Sequence, residues 1–65
     1  MQKYFGSLPE LRKKKNLTQE QLAEMLGVNR TTVTLWERGV NKPKIEMIEK
    51  LTEILDCSIN DLVYG

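Results

Sequence analysis

The sequence predicts an all-α fold, a compact bundle of five short helices. Apolar residues recur at helical spacing along the whole chain, and no window alternates apolar and polar residues long enough to be a strand. Each helical segment also opens on a start signal of its own. With 65 residues, of which 40% are hydrophobic and 29% charged, the chain has the length and composition of one small globular domain, assigned to residues 1–65.

The first helix is expected to begin at residues 7–10, Ser-Leu-Pro-Glu, which read as a capping box with proline in the first turn. It would run to about Lys15 and bury Leu8 and Leu11. The stretch 18–21, Thr-Gln-Glu-Gln, is a second capping box and opens helix 2. The apolar face of helix 2 carries Leu22, Ala23 and Leu26.

Glycines are expected to end both of the next two helices. Gly27 ends helix 2, because glycine takes a left-handed conformation without a steric penalty. Asn29 is a suitable N-cap for helix 3, which would cover residues 30–38 with Val33 and Trp36 facing inward. Gly39 then stops helix 3.

Two more helices complete the bundle. After a loop at residues 40–44, helix 4 is expected from its helically spaced apolar residues, and residues 58–61, Ser-Ile-Asn-Asp, open a short helix 5. The residues expected to face the core are Ile45, Ile48, Leu51 and Leu55 on helix 4, and Ile59 and Leu62 on helix 5. Cys57, beside helix 4, is interpreted as a small buried hydrophobic residue.

Residues 19–38 predict a helix-turn-helix. Helices 2 and 3 are joined by three residues only, so they must cross steeply, and the small Ala23 permits their close approach. The outer face of helix 3 is then free to enter a DNA major groove. The residues expected to meet base edges there are Arg30, Thr31, Thr34 and Leu35. Arg30 could bind guanine through two hydrogen bonds, and Leu35 could contact a thymine methyl group.

Charge distribution agrees with a nucleic-acid partner. Residues 1–44 hold nine Lys and Arg against four acids, whereas residues 45–65 hold one lysine against five acids. This polarity suits a chain that lays its N-terminal part on a polyanion, although a chance arrangement of solvated charge remains the alternative.

Composition argues against several other classes of function. The chain has no histidine and one cysteine, so the commonest metal ligand and general base are missing. We therefore expect no enzyme activity, no metal, no cofactor and no small-molecule ligand. No signal peptide or membrane span is recognisable, so the expected compartment is the cytoplasm.

Four short stretches and one proline in and after the helix-turn-helix form a recognisable pattern: Leu17-Thr18-Gln19-x-x-Leu22-Ala23, Leu26-Gly27-Val28, Thr32-Val33, Trp36-Glu37-Arg38-Gly39 and Pro43. In this pattern the chain resembles the lambda repressor-like, Cro-type (XRE) family of phage and bacterial regulators. The resemblance covers about residues 8–63. Leu35, Thr52 and Asp56 depart from it, since the family more often has a polar or basic residue, an alanine and a glycine there.

The resemblance implies roles for particular residues. A salt bridge between Arg12 and Glu37 would tie helix 1 to the motif, whose other structural residues are Leu22, Ala23, Gly27, Val33 and Trp36. Phosphate contacts would come from helix 2 and from both ends of helix 3 and the loop beyond it, at Gln19, Asn29, Arg38, Asn41, Lys42 and Lys44. Family members usually bind palindromic sites as symmetric dimers, so we expect this chain to act as a dimeric repressor on such an operator.

Three questions stay open from the sequence. Met47, Ile54, Val63 and Tyr64 are candidates for a homodimer contact, the alternative being a cap on the core. Residues 13–15, three lysines, fit either a phosphate clamp or a solvated helix end, and Tyr4 and Phe5 could pack under helix 1 or form an arm. The second functional hypothesis is a protein-interaction module, such as an antitoxin or adaptor, built on the same bundle.

Overall fold

Five helices account for the regular structure of residues 5–64, the part of the chain that the computed structural model describes. They are α1 (Leu8–Lys14), α2 (Gln19–Leu26), α3 (Arg30–Glu37), α4 (Ile45–Leu55) and α5 (Ile59–Val63). The predicted all-α class and the number of helices are confirmed. The bounds of α1 and α3 differ from the predicted ones by a single residue at the C-terminal end, which is within the usual uncertainty of helix ends.

The core is drawn from all five helices and from the segment before α1. Its buried apolar residues are Phe5, Leu8, Leu22, Ala23, Leu26, Val33, Trp36, Leu51, Leu55 and Leu62. Phe5 is 2% exposed, and its backbone N–H donates to the carbonyl of Val63 at 3.2 Å. The start of α1 is thereby fastened to α5, so Phe5 packs under α1 and is not part of an arm. Tyr4 lies outside the described residues.

Two of the four predicted N-terminal caps form. At Thr18 and Ser58, each hydroxyl accepts from the backbone N–H three residues later, and the side chain at that position returns a bond to the cap's own N–H. The capping box predicted at Ser7 is wrong, because Ser7 already has a helical backbone, with φ −86° and ψ −4°, and its side chain makes no capping bond. Asn29 is the N-cap residue of α3, as predicted, with the extended backbone of that position, but its side chain makes no capping bond.

Four helices end at a residue with a left-handed backbone. Gly27 (φ 73°) and Gly39 (φ 75°) behave as predicted, and Asn16 (φ 57°) and Asp56 (φ 51°) do the same after α1 and α4. In each case the next residue donates its N–H back to a carbonyl five positions earlier, at 2.9–3.2 Å, which satisfies the helix end. These next residues are Leu17, Val28, Val40 and Cys57.

Two isoleucines expected in the core lie at the surface. Ile45 is 73% exposed and Ile59 is 55% exposed. Ile45 is the first residue of the eleven-residue α4, whose buried residues, Leu51 and Leu55, both lie in its C-terminal half. The five-residue α5 buries one side chain, that of Leu62. Leu11 and Cys57, also expected inside, are half-buried against the core.

Between residues 5 and 64, the longest helix has eleven residues, and none is long and apolar enough to cross a membrane.

Candidate nucleic-acid interface

The crossing of α2 and α3 is fixed by the three residues that join them. Gly27 takes the left-handed conformation, and the N–H of Val28 donates to the carbonyl of Ala23 at 2.9 Å. Ala23 is itself 2% exposed. Because a larger side chain there would hold the helices apart, the alanine and the tight turn together set the angle at which α3 leaves the bundle. Val33 and Trp36 anchor the inner side of α3 in the core, as predicted.

A buried ion pair joins α1 to the end of α3. Arg12 Nε donates to Glu37 Oε2 at 2.7 Å, and a second guanidinium nitrogen lies 3.3 Å from Oε1. The same guanidinium donates to the carbonyl of Leu17 at 2.8 Å, after the end of α1. The side chains of Arg12 and Glu37 are only 10% and 7% exposed. The predicted structural pair therefore forms, and each of the three guanidinium nitrogens of Arg12 donates one hydrogen bond within the protein.

Gln19 extends this network from α1 and α3 to α2. Its Nε2 donates to Glu37 Oε1 at 2.8 Å, and its Oε1 accepts from the hydroxyl of Thr34 at 3.1 Å. Sequence reasoning assigned Gln19 to a phosphate and Thr34 to a base edge, but did not foresee that they contact each other. Their sequence separation is fifteen residues, so the contact depends on the crossing of α2 and α3.

The side chains on the outer face of α3 differ in their exposure to solvent. Arg30, Thr31 and Arg38 are exposed, while Thr34 and Leu35 are half-buried. Asn29, just before the helix, is exposed and not used in capping, so its amide faces solvent. The residues predicted to meet base edges thus share one helix, with Arg30 at its solvent-facing N-terminal end.

A groove of about 710 Å³ runs beside the N-terminus of α2. It brings Gln19 and Arg30 together with Lys13, one of the three lysines whose role the sequence left open. The first N–H groups of α2 have no partners within the helix, and they add partial positive charge to the groove. Its complete lining is Arg12, Lys13, Asn16, Leu17, Thr18, Gln19, Glu20, Gln21, Glu24 and Arg30.

The loop between α3 and α4 carries the remaining predicted phosphate contacts. Asn41, Lys42 and Lys44 are all exposed, around the buried Pro43. They border a second groove, of about 440 Å³, whose floor includes Trp36 and Met47.

The four residues proposed for a dimer contact do not lie in one groove. Met47 lines the groove beside Trp36, whereas Val63 and Tyr64 line another with Pro43 and Ile48. Met47, Ile54 and Val63 are half-buried against the core, and Tyr64 is 59% exposed.

Cys57 is poorly suited to nucleophilic chemistry. Partial burial raises the pKa of its thiol, and the carboxylates of Asp61 and Asp56 raise this pKa further. The thiol therefore stays protonated at neutral pH, and it is the thiolate that reacts. Among residues 5–64, no group of three His, Cys, Asp or Glu side chains is placed to hold a metal ion.

Known proteins with similar sequences are transcriptional regulators. The activator BcrR of Enterococcus faecalis is 43% identical over 58 residues, which is 89% of this chain and 28% of BcrR. The phage repressor RstR of Vibrio cholerae is 33% identical over 60 residues, which is 92% of this chain and 54% of RstR. The chain therefore spans about a quarter to a half of the length of these relatives.

Known structures agree in fold over the whole chain. The P22 c2 repressor bound to a synthetic operator superposes with a TM-score of 0.89 at 31% identity, covering 100% of this chain and 98% of that one. SinR in complex with DNA, a master regulator of biofilm formation, gives a TM-score of 0.77 at 31% identity, covering 88% of this chain and 92% of SinR. The helix-turn-helix family profile matches residues 9–62. The chain belongs to this helix-turn-helix family, as its resemblance to lambda repressor-like regulators predicted.

Proposed function

We propose that this chain is a transcriptional regulator that binds double-stranded DNA of a specific sequence, with α3 in the major groove. The observation that carries the proposal is the placement of α3. Its inner side is anchored by Val33 and Trp36, and its outer side presents Arg30 and Thr31 to solvent next to the groove at the N-terminus of α2. A rigid helix with a polar, basic outer face is what major-groove readout requires.

Base contacts and phosphate contacts come from different parts of this surface. Arg30, Thr31 and Leu35 are proposed to meet base edges. The phosphates on one side would be bound by Gln19 and Lys13, with the N–H groups at the start of α2. On the other side, the proposed phosphate contacts are Asn29, Arg38, Asn41, Lys42 and Lys44.

The relatives support DNA binding more directly than they support a choice between activation and repression. BcrR is named an activator and RstR a repressor, while the P22 c2 repressor and SinR were solved on DNA. We propose repression, because occupying a site that overlaps a promoter is sufficient for it. The chain would act in the cytoplasm by binding, with no catalytic step.

Selection of duplexes from a random pool, followed by titration at several salt concentrations, tests the proposal. We expect one enriched sequence, and an affinity that falls with salt along a log–log slope of about −0.9 per phosphate contact. Lys13→Gln should weaken binding to every duplex and make the slope shallower by about one contact. Lys50→Gln, which removes an exposed lysine from α4, is the matched control and should leave both quantities unchanged.

The proposal fails if the selection enriches no sequence, or if affinity does not respond to salt. A Lys50→Gln variant that weakens binding as much as Lys13→Gln would also contradict it, since the DNA would then not be confined to the α2–α3 side.

A further inference from the structure

The amide of Gln19 is held in one orientation by two residues of α3. The carboxylate of Glu37 can only accept hydrogen bonds, so the Gln19 atom that faces it at 2.8 Å must be the nitrogen. The oxygen of the amide then faces Thr34, whose hydroxyl donates to it at 3.1 Å. Reversing the amide would put its oxygen against a carboxylate oxygen. The two α3 residues thus select one of the two possible orientations.

In this arrangement the hydroxyl of Thr34 has no hydrogen left to donate to a base and keeps only its acceptor lone pairs. Its hydroxyl has a single proton, and two acceptors lie within reach of it, Gln19 Oε1 at 3.1 Å and the carbonyl of Arg30 at 3.2 Å. Either bond consumes the proton. The side chain is also half-buried, unlike that of Thr31, which is exposed one turn earlier on the same helix.

Gln19, in contrast, keeps one donor. An amide nitrogen carries two hydrogens, of which one is bonded to Glu37. Gln19 is the first residue of α2, beside backbone N–H groups that have no partner within the helix, and it lines the groove that also holds Lys13 and Arg30. The Gln21 N–H is already bonded to the Thr18 hydroxyl at 3.0 Å, so the remaining hydrogen and the N–H groups of Gln19 and Glu20 form the donor set suited to one phosphate.

We infer that Thr34 is a positioning residue for the phosphate contact of Gln19 and not a reader of base sequence. Together with Glu37 it fixes the amide so that the free N–H of Gln19 is available to the DNA backbone. This inference rests on the proposed DNA-binding function, and it changes the role that the sequence predicted for Thr34. A positioning residue of a phosphate contact affects all DNA sequences alike, whereas a base reader affects one base pair.

The variants Thr34→Val, Thr34→Ser and Thr31→Val separate the two roles. Each would be titrated against the selected duplex, its single-base-pair variants and an unrelated duplex. Thr34→Val should weaken binding by about 3- to 10-fold on all of them, the effect of one lost hydrogen bond, and leave the preferred base at every position unchanged. Thr34→Ser keeps the hydroxyl and should stay within about twofold of the original affinity. Thr31→Val should instead change the preference at one position.

Thr52→Val is the matched control for the loss of the bond that the Thr34 hydroxyl makes to the carbonyl of Arg30 in its own helix. The Thr52 hydroxyl donates to the carbonyl of Glu49 at 2.8 Å within α4, so this variant removes a threonine-to-helix-backbone bond away from α2 and α3. It should not alter DNA binding. If it weakens binding as Thr34→Val does, the effect of Thr34 is one of helix stability and the inference is overturned.

A double-mutant cycle tests whether Thr34 acts through Gln19. The combined variant Gln19→Ala with Thr34→Val should bind no more weakly than Gln19→Ala alone. A set of duplexes, each with one phosphate replaced by a neutral methylphosphonate, would locate the phosphate that Gln19 contacts. At that position Gln19→Ala should no longer weaken binding, because the contact is already missing. Thr34→Val should no longer weaken binding at the same position.

Besides that outcome for Thr52→Val, three results would overturn the inference while leaving the proposed function intact. They are a changed base preference in Thr34→Val, additive effects in the double variant, and no loss of affinity in Thr34→Val. Failure of the unaltered chain to bind any selected duplex would instead overturn the proposed function.

Discussion

Arg12 is a buried charged residue, and each of its guanidinium nitrogens donates a hydrogen bond within the protein. It is 8% exposed and bonds Glu37 twice and the carbonyl of Leu17 once. Burying an ion pair costs desolvation energy that good geometry repays, but removing one partner leaves an uncompensated charge. The placement of α3 therefore depends on a single residue of α1. Both charges are used within the ion pair.

Arg12→Met should lower the free energy of unfolding by about 3 kcal/mol, because the Glu37 carboxylate would stay buried with Gln19 as its remaining partner. Urea unfolding followed by circular dichroism measures the change. Lys14→Met, which alters an exposed cation of the same helix, is the control and should shift stability by less than about 0.5 kcal/mol. A double variant, Arg12→Met with Glu37→Met, should regain much of the loss. Equal effects of Arg12→Met and Lys14→Met would contradict the structural role of the pair.

The raised pKa of Cys57 predicts how the stability of the fold and the reactivity of the thiol depend on pH. Because burial and the carboxylates of Asp61 and Asp56 raise the pKa of the folded thiol, folding favours its protonated form. This contribution to stability is complete below the pKa of the unfolded thiol and is lost as the pH rises through the higher, folded pKa. At pH 8.5 iodoacetamide should label the folded chain more slowly than the urea-unfolded chain, and Asp61→Asn should speed labelling of the folded form. Equal rates in the folded and unfolded chains would contradict the raised pKa.

At the scale of the elements, the ends of the helices control how they meet. The left-handed residues after α1, α2, α3 and α4 are each followed by an apolar residue, and three of these, Leu17, Val28 and Cys57, pack against the core. The turns after α1, α2 and α4 thus also return the chain to the core, whereas Val40 after α3 is 60% exposed. The short connection between α2 and α3 is possible only because its first residue accepts this conformation.

Gly27→Ala should lower the free energy of unfolding by about 1 kcal/mol, or several degrees in the thermal midpoint. A Cβ at Gly27 would meet nothing within 4 Å, so the cost lies in the backbone at φ 73° and not in a clash. Gly27→Asn should therefore recover most of the loss, since asparagine tolerates this region. Asp56→Ala should likewise be destabilising, and Asp56→Gly should not. If Gly27→Asn is as unstable as Gly27→Ala, the explanation by backbone conformation is wrong.

Local signals explain why the sequence predicted some helix ends and not others. Thr18 and Ser58 cap through residues three positions away, and Gly27 and Gly39 are recognisable from their residue type. Asn16 and Asp56 take the same conformation without being glycine, and the available signal was the apolar residue that follows each. Ser7 failed as a cap because the turn at Phe5 places its backbone in the helical region, a consequence of packing against α5.

In the site, too, some features could be predicted from the sequence, and others depend on how distant helices pack. The Arg12–Glu37 pair came from the family resemblance, and the outer face of α3 followed from helical spacing. The contact between Gln19 and Thr34 depends on the angle at which two helices cross, which a local pattern does not specify. Ile45 lies at helical spacing with the buried Leu51 and Leu55 but is 73% exposed, so its exposure likewise was not given by the local pattern.

At the scale of the whole molecule, basic and acidic residues are concentrated in different parts of the chain. Basic residues dominate residues 1–44, which include α2 and α3, and acids dominate residues 45–65, which form α4 and α5. An anionic duplex would be drawn to the first part and repelled by the second. The exposed Tyr64 and the half-buried Val63 lie at the end of α5, outside the residues proposed to contact DNA.

A second copy of the chain is the partner we propose for this apolar end. The eight residues of α3 span about 12 Å at 1.5 Å per residue, enough for only a few base pairs. Two copies related by a two-fold axis would read two half-sites about 34–36 Å apart, one turn of the duplex. The selected sequence should therefore be palindromic and bound cooperatively. Inserting five base pairs between its halves should abolish cooperativity, because the half-sites would face opposite sides of the duplex, while the affinity for a single half-site stays the same.

Variants at the end of α5 connect this cooperativity with the proposed contact. Tyr64→Ala should reduce cooperative binding to the palindrome and leave binding to a single half-site unchanged, as measured by mobility shift. Ile59→Ala is the matched control, because Ile59 is an equally exposed apolar residue of α5 that is not assigned to the contact. If binding to the palindrome is non-cooperative and insensitive to spacing, the chain reads DNA as a monomer. If Ile59→Ala reduces cooperativity and Tyr64→Ala does not, the copies meet through a different face of α5.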